Sequence, residues 1–140
     1  MSKPILCVDF DGVIHSYSSG WQGATNIPDP PVPDSIKWLW EASIDFEINI
    51  YSSRSKEPGA ISAMQFWLRK WAEHEFLTNP ELIFRDSVGE CVSIFMLEMH
   101  FPTQKPAAFL TIDDRAICFD GDWKKLDPKE LLKFKPWNKS

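Results

Sequence analysis

A chain of 140 residues that is 44% hydrophobic and 14% aromatic, with seven Trp, can build one folded domain, residues 1–140, around a sizeable core, and is no disordered tail. Fifteen basic residues against twenty acidic ones give a net charge of -5, so no general basic footprint argues for nucleic acid, although a local basic groove stays compatible. Cys7, Cys91 and Cys118 match no metal spacing and read as apolar thiols in a reducing, cytoplasmic setting, and no stretch is long and apolar enough for a signal peptide or membrane span.

Ile5 to Val8 is a short apolar run entering a loop, which predicts a buried strand. Asp9 and Asp11 follow, and alternation points them the same way, with Phe10 between them turned into the core. Gly12 permits a sharp exit. An Asp-Gly pair after a strand is also ordinary turn chemistry. Two carboxylates aimed at one spot, however, repel each other unless a cation or a proton sits between them. Ser16 to Pro33 reads as a loop or small flap closing in a proline-rich run, with Trp21 as its anchor and His15, Tyr17 and Trp123 as packing residues near an opening.

Asp34 is expected to cap a helix running to about Ser43. Phe46 to Tyr51 is the second strand and ends in Ser52, Ser53 and Arg54. Pro58 to Phe76 is the longest helix, its apolar stripe stepping through Ile61, Met64, Leu68 and Trp71. A third strand is expected at Leu82 to Phe84. A helix capped by Ser87 and Glu90 follows, through about Met99. The fourth strand is placed at Ala107 to Ile112, ending in Asp113, Asp114 and Arg115, and a fifth at Ala116 to Phe119. Asp127 and Pro128 open a last short helix in a basic closing stretch read as a solvated surface.

Strands alternating with helices predict a mainly parallel sheet with helices on both faces, a three-layer Rossmann-like α/β domain with right-handed crossovers. Sites in such sheets lie outside the carboxyl ends of the strands. Asp9 and Asp11, Ser52 to Arg54, and Asp113 to Arg115 all fall there. Four carboxylates near one point need a cation, oxygen ligands select a hard one, and Mg2+ suits a site that also receives a phosphate. Ser52, Lys105 and Arg54 could hold phosphoryl oxygens while one Asp attacks phosphorus and the other handles the proton.

With these four motifs in order, the chain resembles the haloacid dehalogenase (HAD) superfamily of phosphohydrolases. Asp9-Phe10-Asp11-Gly12-Val13 matches the first motif, Ser52 at a strand end the second, Lys105 the third, and Ile112-Asp113-Asp114 the fourth. The resemblance implies Asp9 as nucleophile and Asp11 as general acid and base. Mg2+ would be held by the Asp9 carboxylate, the Asp11 carbonyl and Asp113, with Asp114 supporting. Ser52 would bind the phosphoryl group and Lys105 would neutralise charge. No interval has room for the cap domain found in many members. The wording around Arg54 and Arg115 is similar to small phage-type hydrolases and to the phosphatase domain of polynucleotide kinases, which implies both arginines as phosphate-binding or site-ordering groups. The expected partner is a phosphorylated substrate, with nucleotides and polynucleotide ends among the candidates, and a homo-oligomer is compatible. A phosphotransferase of the same superfamily, or a non-catalytic scaffold on its fold, stands as the alternative.

Overall fold

The computed structural model describes residues 2–139. Strand β1, Ile5–Val8, is buried along three of its four residues and forms the inside of the sheet. It pairs in parallel with β2, Glu47–Ile50, on one side and with β4, Leu110–Ile112, on the other. Strand β3, Met99–His100, adds to the far side of β2, giving the order β3-β2-β1-β4, all parallel. Val8 stands opposite both Ile50 and Ile112, so the three longest strands finish at one level.

Four α-helices are present among the described residues: α1, Ser35–Ala42; α2, Ala60–Thr78; α3, Val88–Leu97; and α4, Pro128–Leu131. Helices α1 to α3 share one continuous core with the Leu6, Val8, Ile48 and Ile50 face of the sheet. Three-layer packing is therefore not what these helices build: all three cover the same face. The handedness rule explains why, because two right-handed crossovers that step outward in one direction put their helices on one side. The return from β3 to β4 contains no helix. Residues 101 to 109 carry it across the sheet, past the opposite face bearing Cys7 and Thr111.

Several local expectations shift. Leu82 to Phe84 is no strand; a 3-10 turn over Pro80–Leu82 precedes Phe84, which stacks on Trp40 at 4.8 Å and serves the helical core instead. Pairing of Met99 with Ile48 pulls the last residues of the expected third helix into β3, so tertiary pairing overrides helical periodicity there. The fourth strand shortens to three residues, and Ala116 to Phe119 is irregular, leaving β4 at the sheet edge. Asp34 sits at the start of α1 in a left-handed conformation (φ 70°) and makes no capping bond. Ser87 does cap α3, accepting from the Glu90 N–H at 3.1 Å. Asp127 and Pro128 open α4 as expected. Among the described residues no helix is long and apolar enough to cross a membrane.

The chain builds β2 and β3 outward from β1, then returns to β1's other side for β4. The direction of winding thus reverses between β1 and β4, and a crevice opens at the carboxyl ends of strands flanking such a reversal. Asp9 follows β1 there and Asp113 follows β4, tied together by the Asp9 N–H donating to the Ile112 carbonyl at 2.9 Å.

Candidate active site

The turn after β1 is built by convergence on one carbonyl. The amides of Val13, Ile14 and His15 all donate to the Phe10 carbonyl, at 3.3, 2.9 and 2.9 Å. Phe10 itself is fully buried, edge-on to Trp67 at 5.1 Å, so the expected alternation of acid, core, acid holds. Gly12 has φ +83°, a conformation that favours glycine, and a Cβ there would have to displace the Asp114 carboxylate.

Asp9, Asp113 and Asp114 bring one carboxylate oxygen each to within 4.8 Å of one another. Burial, followed by the negative charge of Asp113, pushes Asp9 up to about 8. Asp114 Oδ1 is buried and finds no hydrogen-bond partner among the described residues. A buried oxygen in that state costs free energy unless something donates to it or coordinates it. These observations fit a hard divalent cation: the donors are all oxygen, the three acids make no ion pair among the described residues, and one oxygen lacks a partner. Asp9, Asp113 and Asp114 are the residues that could hold it.

Asp11, two residues on, belongs to a different network. Arg54 grips it bidentately, Nε to Oδ2 and Nη2 to Oδ1, both at 2.9 Å. His15 Nδ1 lies 2.9 Å from Oδ1, and His15 Nε2 accepts the Asp29 backbone N–H at 3.2 Å. An acceptor Nε2 puts the ring proton on Nδ1, so a neutral His15 donates to Asp11. Asp29 is in turn held by the Ser19 hydroxyl at 2.6 Å and the Ser19 N–H at 2.8 Å. Burial alone would raise the Asp11 pKa; the hydrogen bonds from His15 and Arg54 outweigh it and hold the carboxyl below the usual range.

Two adjoining cavities of about 250 Å³ each open at the strand ends. Asp9, Ser52, Ser53 and Arg115 line both; Lys105 and Asp113 complete one, and Asp11, Tyr17, Trp21 and Asp114 the other. The sites named from the sequence therefore converge. Ser52 Oγ is buried 3.5 Å from Asp11 Oδ2 and accepts the Arg54 N–H at 3.2 Å, capping the 3-10 turn Ser53–Lys56. Lys105 reaches the cavity because the connection from β3 to β4 must cross the sheet above it.

Two assignments change. Arg54 is fully buried, and its remaining bonds run to the Gly23 and Ala24 carbonyls at 3.3 and 3.1 Å, with Trp21 stacked 4.9 Å over the guanidinium. It orders Asp11 and is closed off from a substrate phosphate. The Asp11 carboxylate likewise lies outside the acidic triad, its oxygens taken by Arg54 and His15. Arg115 is exposed, and among the described residues its side chain makes no ion pair, leaving it available at the cavity mouth.

Asp29 and Trp137 are residues that sequence reasoning passed over, and His15, expected only to pack near the opening, bonds Asp11. Trp137 donates its Nε1–H to the Gly12 carbonyl at 2.7 Å from 125 positions away, a contact no local pattern carries. The Asp11 and His15 spacing, i and i+4 across a tight turn, was a usable signal for their pairing. Comparison of the chain with protein-family models, curated proteins and solved structures finds no match.

Proposed function

We propose that this chain is a Mg2+-dependent phosphohydrolase of the HAD type, working through an aspartyl-phosphate on Asp9. The observation that carries the reading is the pairing of an acidic triad, Asp9, Asp113 and Asp114, with a separately clamped Asp11 at one strand-end crevice. An Asp9 oxygen attacks phosphorus and the bond to the leaving oxygen breaks. Asp11, which takes up a proton from solvent as the phosphate dianion binds, gives that proton to the leaving oxygen. Water then attacks phosphorus, the bond to Asp9 breaks, and the water proton passes to Asp11, restoring both groups.

In the resting site Asp11 is held ionised, which suits the second half as a base. The dianionic phosphate arriving opposite it raises its proton affinity for the first half. Arg54 and His15 keep the carboxylate aimed while this happens. Lys105 and Arg115 meet the phosphoryl oxygens, and Ser52 offers its hydroxyl at the wall. A bound Mg2+ supplies neutralisation of charge on Asp9 and on the transferring group. The chain is read as a core without a cap, since residues 16 to 33 form the flap and residues 57 to 98 the core's own helices.

The test is phosphate release from p-nitrophenyl phosphate, nucleoside 3′- and 5′-monophosphates and phosphorylated oligonucleotides, with and without EDTA. Turnover is expected to need Mg2+ and to fall at least about a thousandfold in Asp9→Asn. Turnover that survives Asp9→Asn, or folded wild-type protein inert on every ester, overturns the proposal.

A further inference from the structure

Residues 123 to 139 hold six Lys against Asp127 and Glu130, a net charge of +4 on a chain whose remaining residues carry nine basic and eighteen acidic groups. The segment is tied to the crevice. Trp137 Nε1–H donates to the Gly12 carbonyl at 2.7 Å and the Asn138 side-chain amide to the Ser16 carbonyl at 3.0 Å, so the arm grips both ends of the turn that bears Asp11 and His15. Trp137 also lines a cavity of about 270 Å³ with Gly12, Asp113 and Asp114.

An indole held by its N–H at a site rim, yet 63% exposed, presents a free face. Lys135 and Lys139 flank it two residues away on either side, and both are exposed. Phe134 (49% exposed) and Trp123 (74%) add aromatic surface to the same arm. A merely solvated segment has no use for this interleaving of Lys and exposed aromatics, whereas a single nucleic-acid strand uses both: cations for its phosphates and flat rings for its bases. The acidic total does not oppose this. Charges separated by more than about 10 Å are screened at 0.1 M salt, so a bound strand responds to the arm beneath it.

We propose that the 123–139 arm is a single-strand platform and that the substrate is an oligonucleotide ending in a phosphate monoester. The terminal phosphate enters the Asp9 cavity, a base stacks on Trp137, and the following phosphates run along Lys133, Lys135 and Lys139. What happens to the terminal phosphate rests on the phosphatase reading above; capture of the strand does not.

The experiment is fluorescence anisotropy of labelled 12-nucleotide single strands, ending in a 3′-phosphate, a 5′-phosphate or hydroxyls only, titrated with full-length Asp9→Asn protein in Mg2+ across a salt series. On that background, Lys133→Gln/Lys135→Gln/Lys139→Gln is expected to weaken binding at least about tenfold and to reduce the slope of log affinity against log salt by about 2. Lys37→Gln/Lys70→Gln, which removes charge from α1 and α2, is expected to change neither. Equal binding by the arm variant and this control, no binding of any strand, or binding to anionic phospholipid vesicles alone overturns the platform. Strand capture by a wild-type protein that hydrolyses no ester keeps the platform and removes the proposed chemistry. Hydrolysis of small esters without strand binding does the reverse.

Discussion

Asp9 and Asp11 leave the same strand two residues apart and meet opposite surroundings. Asp11 is buried against a cation the chain supplies itself, Arg54, and shares a hydrogen with His15, so its charge is met before any ligand arrives. Asp9 is half-buried beside Asp113 and Asp114; its carboxylate accepts the Phe10 N–H at 2.9 Å, but among the described residues it makes no ion pair. Burial pushes both acids up, and only the identity of the neighbours decides which stays high and which is pulled low. The difference divides the labour of the crevice. One side is a finished network that fixes geometry, and the other is an electrostatic deficit that a cation or an incoming group must fill.

The sharpest way to break this contrast is to give Asp11 the predicament of Asp9. Arg54→Met removes the cation while keeping much of the side-chain volume, and leaves the largely buried carboxylate with His15 and a long bond from the Ser52 hydroxyl as its side-chain donors. Breaking a buried pair from one side costs roughly 3–5 kcal/mol. Urea denaturation at pH 7 is expected to show a loss in that range, the largest of any change argued for this site. A loss below about 1 kcal/mol would mean that the pair behaves like a surface ion pair and that Asp11 is not locked.

The second test separates the two acids by pH. Asp9, raised to about 8 in the folded chain, titrates near 4 when unfolded, so the folded state binds the proton more tightly. Its contribution is fully present below about pH 4, is lost as pH rises towards about 8, and is constant beyond. Asp11 has the opposite sign: its contribution is present above about pH 4 and is lost below it. In EDTA, wild-type stability is expected to decline from pH 4 to pH 8 by on the order of 2 kcal/mol, a figure reduced for screening by the open cavity. Asp9→Asn is expected to flatten that limb and leave the acid limb intact, and Mg2+ to flatten it in the wild type. Identical pH profiles for wild type and Asp9→Asn would remove the deficit from Asp9.

Much of this arrangement was legible in the sequence because it depends on strand ends. The alternation through Asp9, Phe10 and Asp11, the acids after Ile112 and the hydroxyl after β2 are local patterns, and a parallel sheet carries them to one crevice whatever the details of the helices. Lys105 was named only as the match to the third motif, and it lines the cavity because the connection from β3 to β4 crosses the sheet there. What escaped depends on contacts across the fold. Arg54 was left between a phosphate ligand and a site-ordering group because a sequence shows its charge and not its burial, and its burial decides for the second. His15 looked like a packing residue because its second partner, Asp29, lies beyond a flap whose path no periodicity gives. The third strand was misplaced because Met99 continues a helical stripe until Ile48 offers it a strand partner. The lysines of the basic stretch are exposed as expected, but the Trp137 contact escaped because nothing near it in the chain points to Gly12.

That last contact offers the finest test, since it asks whether the arm stiffens the turn or only rests on it. Trp137→Phe keeps an aromatic ring and deletes the single N–H that reaches the Gly12 carbonyl. A hydrogen bond of this kind contributes about 0.5–1.5 kcal/mol net, so the stability loss is expected to be the smallest of the three. Its consequences should be unequal across the crevice. The amides that converge on the Phe10 carbonyl, and the bonds of Asp11 to Arg54 and His15, do not pass through Trp137, so that side holds. Gly12, in contrast, abuts the Asp114 carboxylate directly, and a looser Gly12 loosens Asp114. Hydrogen exchange is therefore expected to quicken at Gly12 while the amides of Ile14 and His15 keep their protection, and the Mg2+-induced rise in Tm is expected to shrink. Faster exchange throughout residues 12 to 15 would show instead that the two halves of the crevice are one unit, and that the separation between the locked acid and the waiting one is electrostatic without being mechanical.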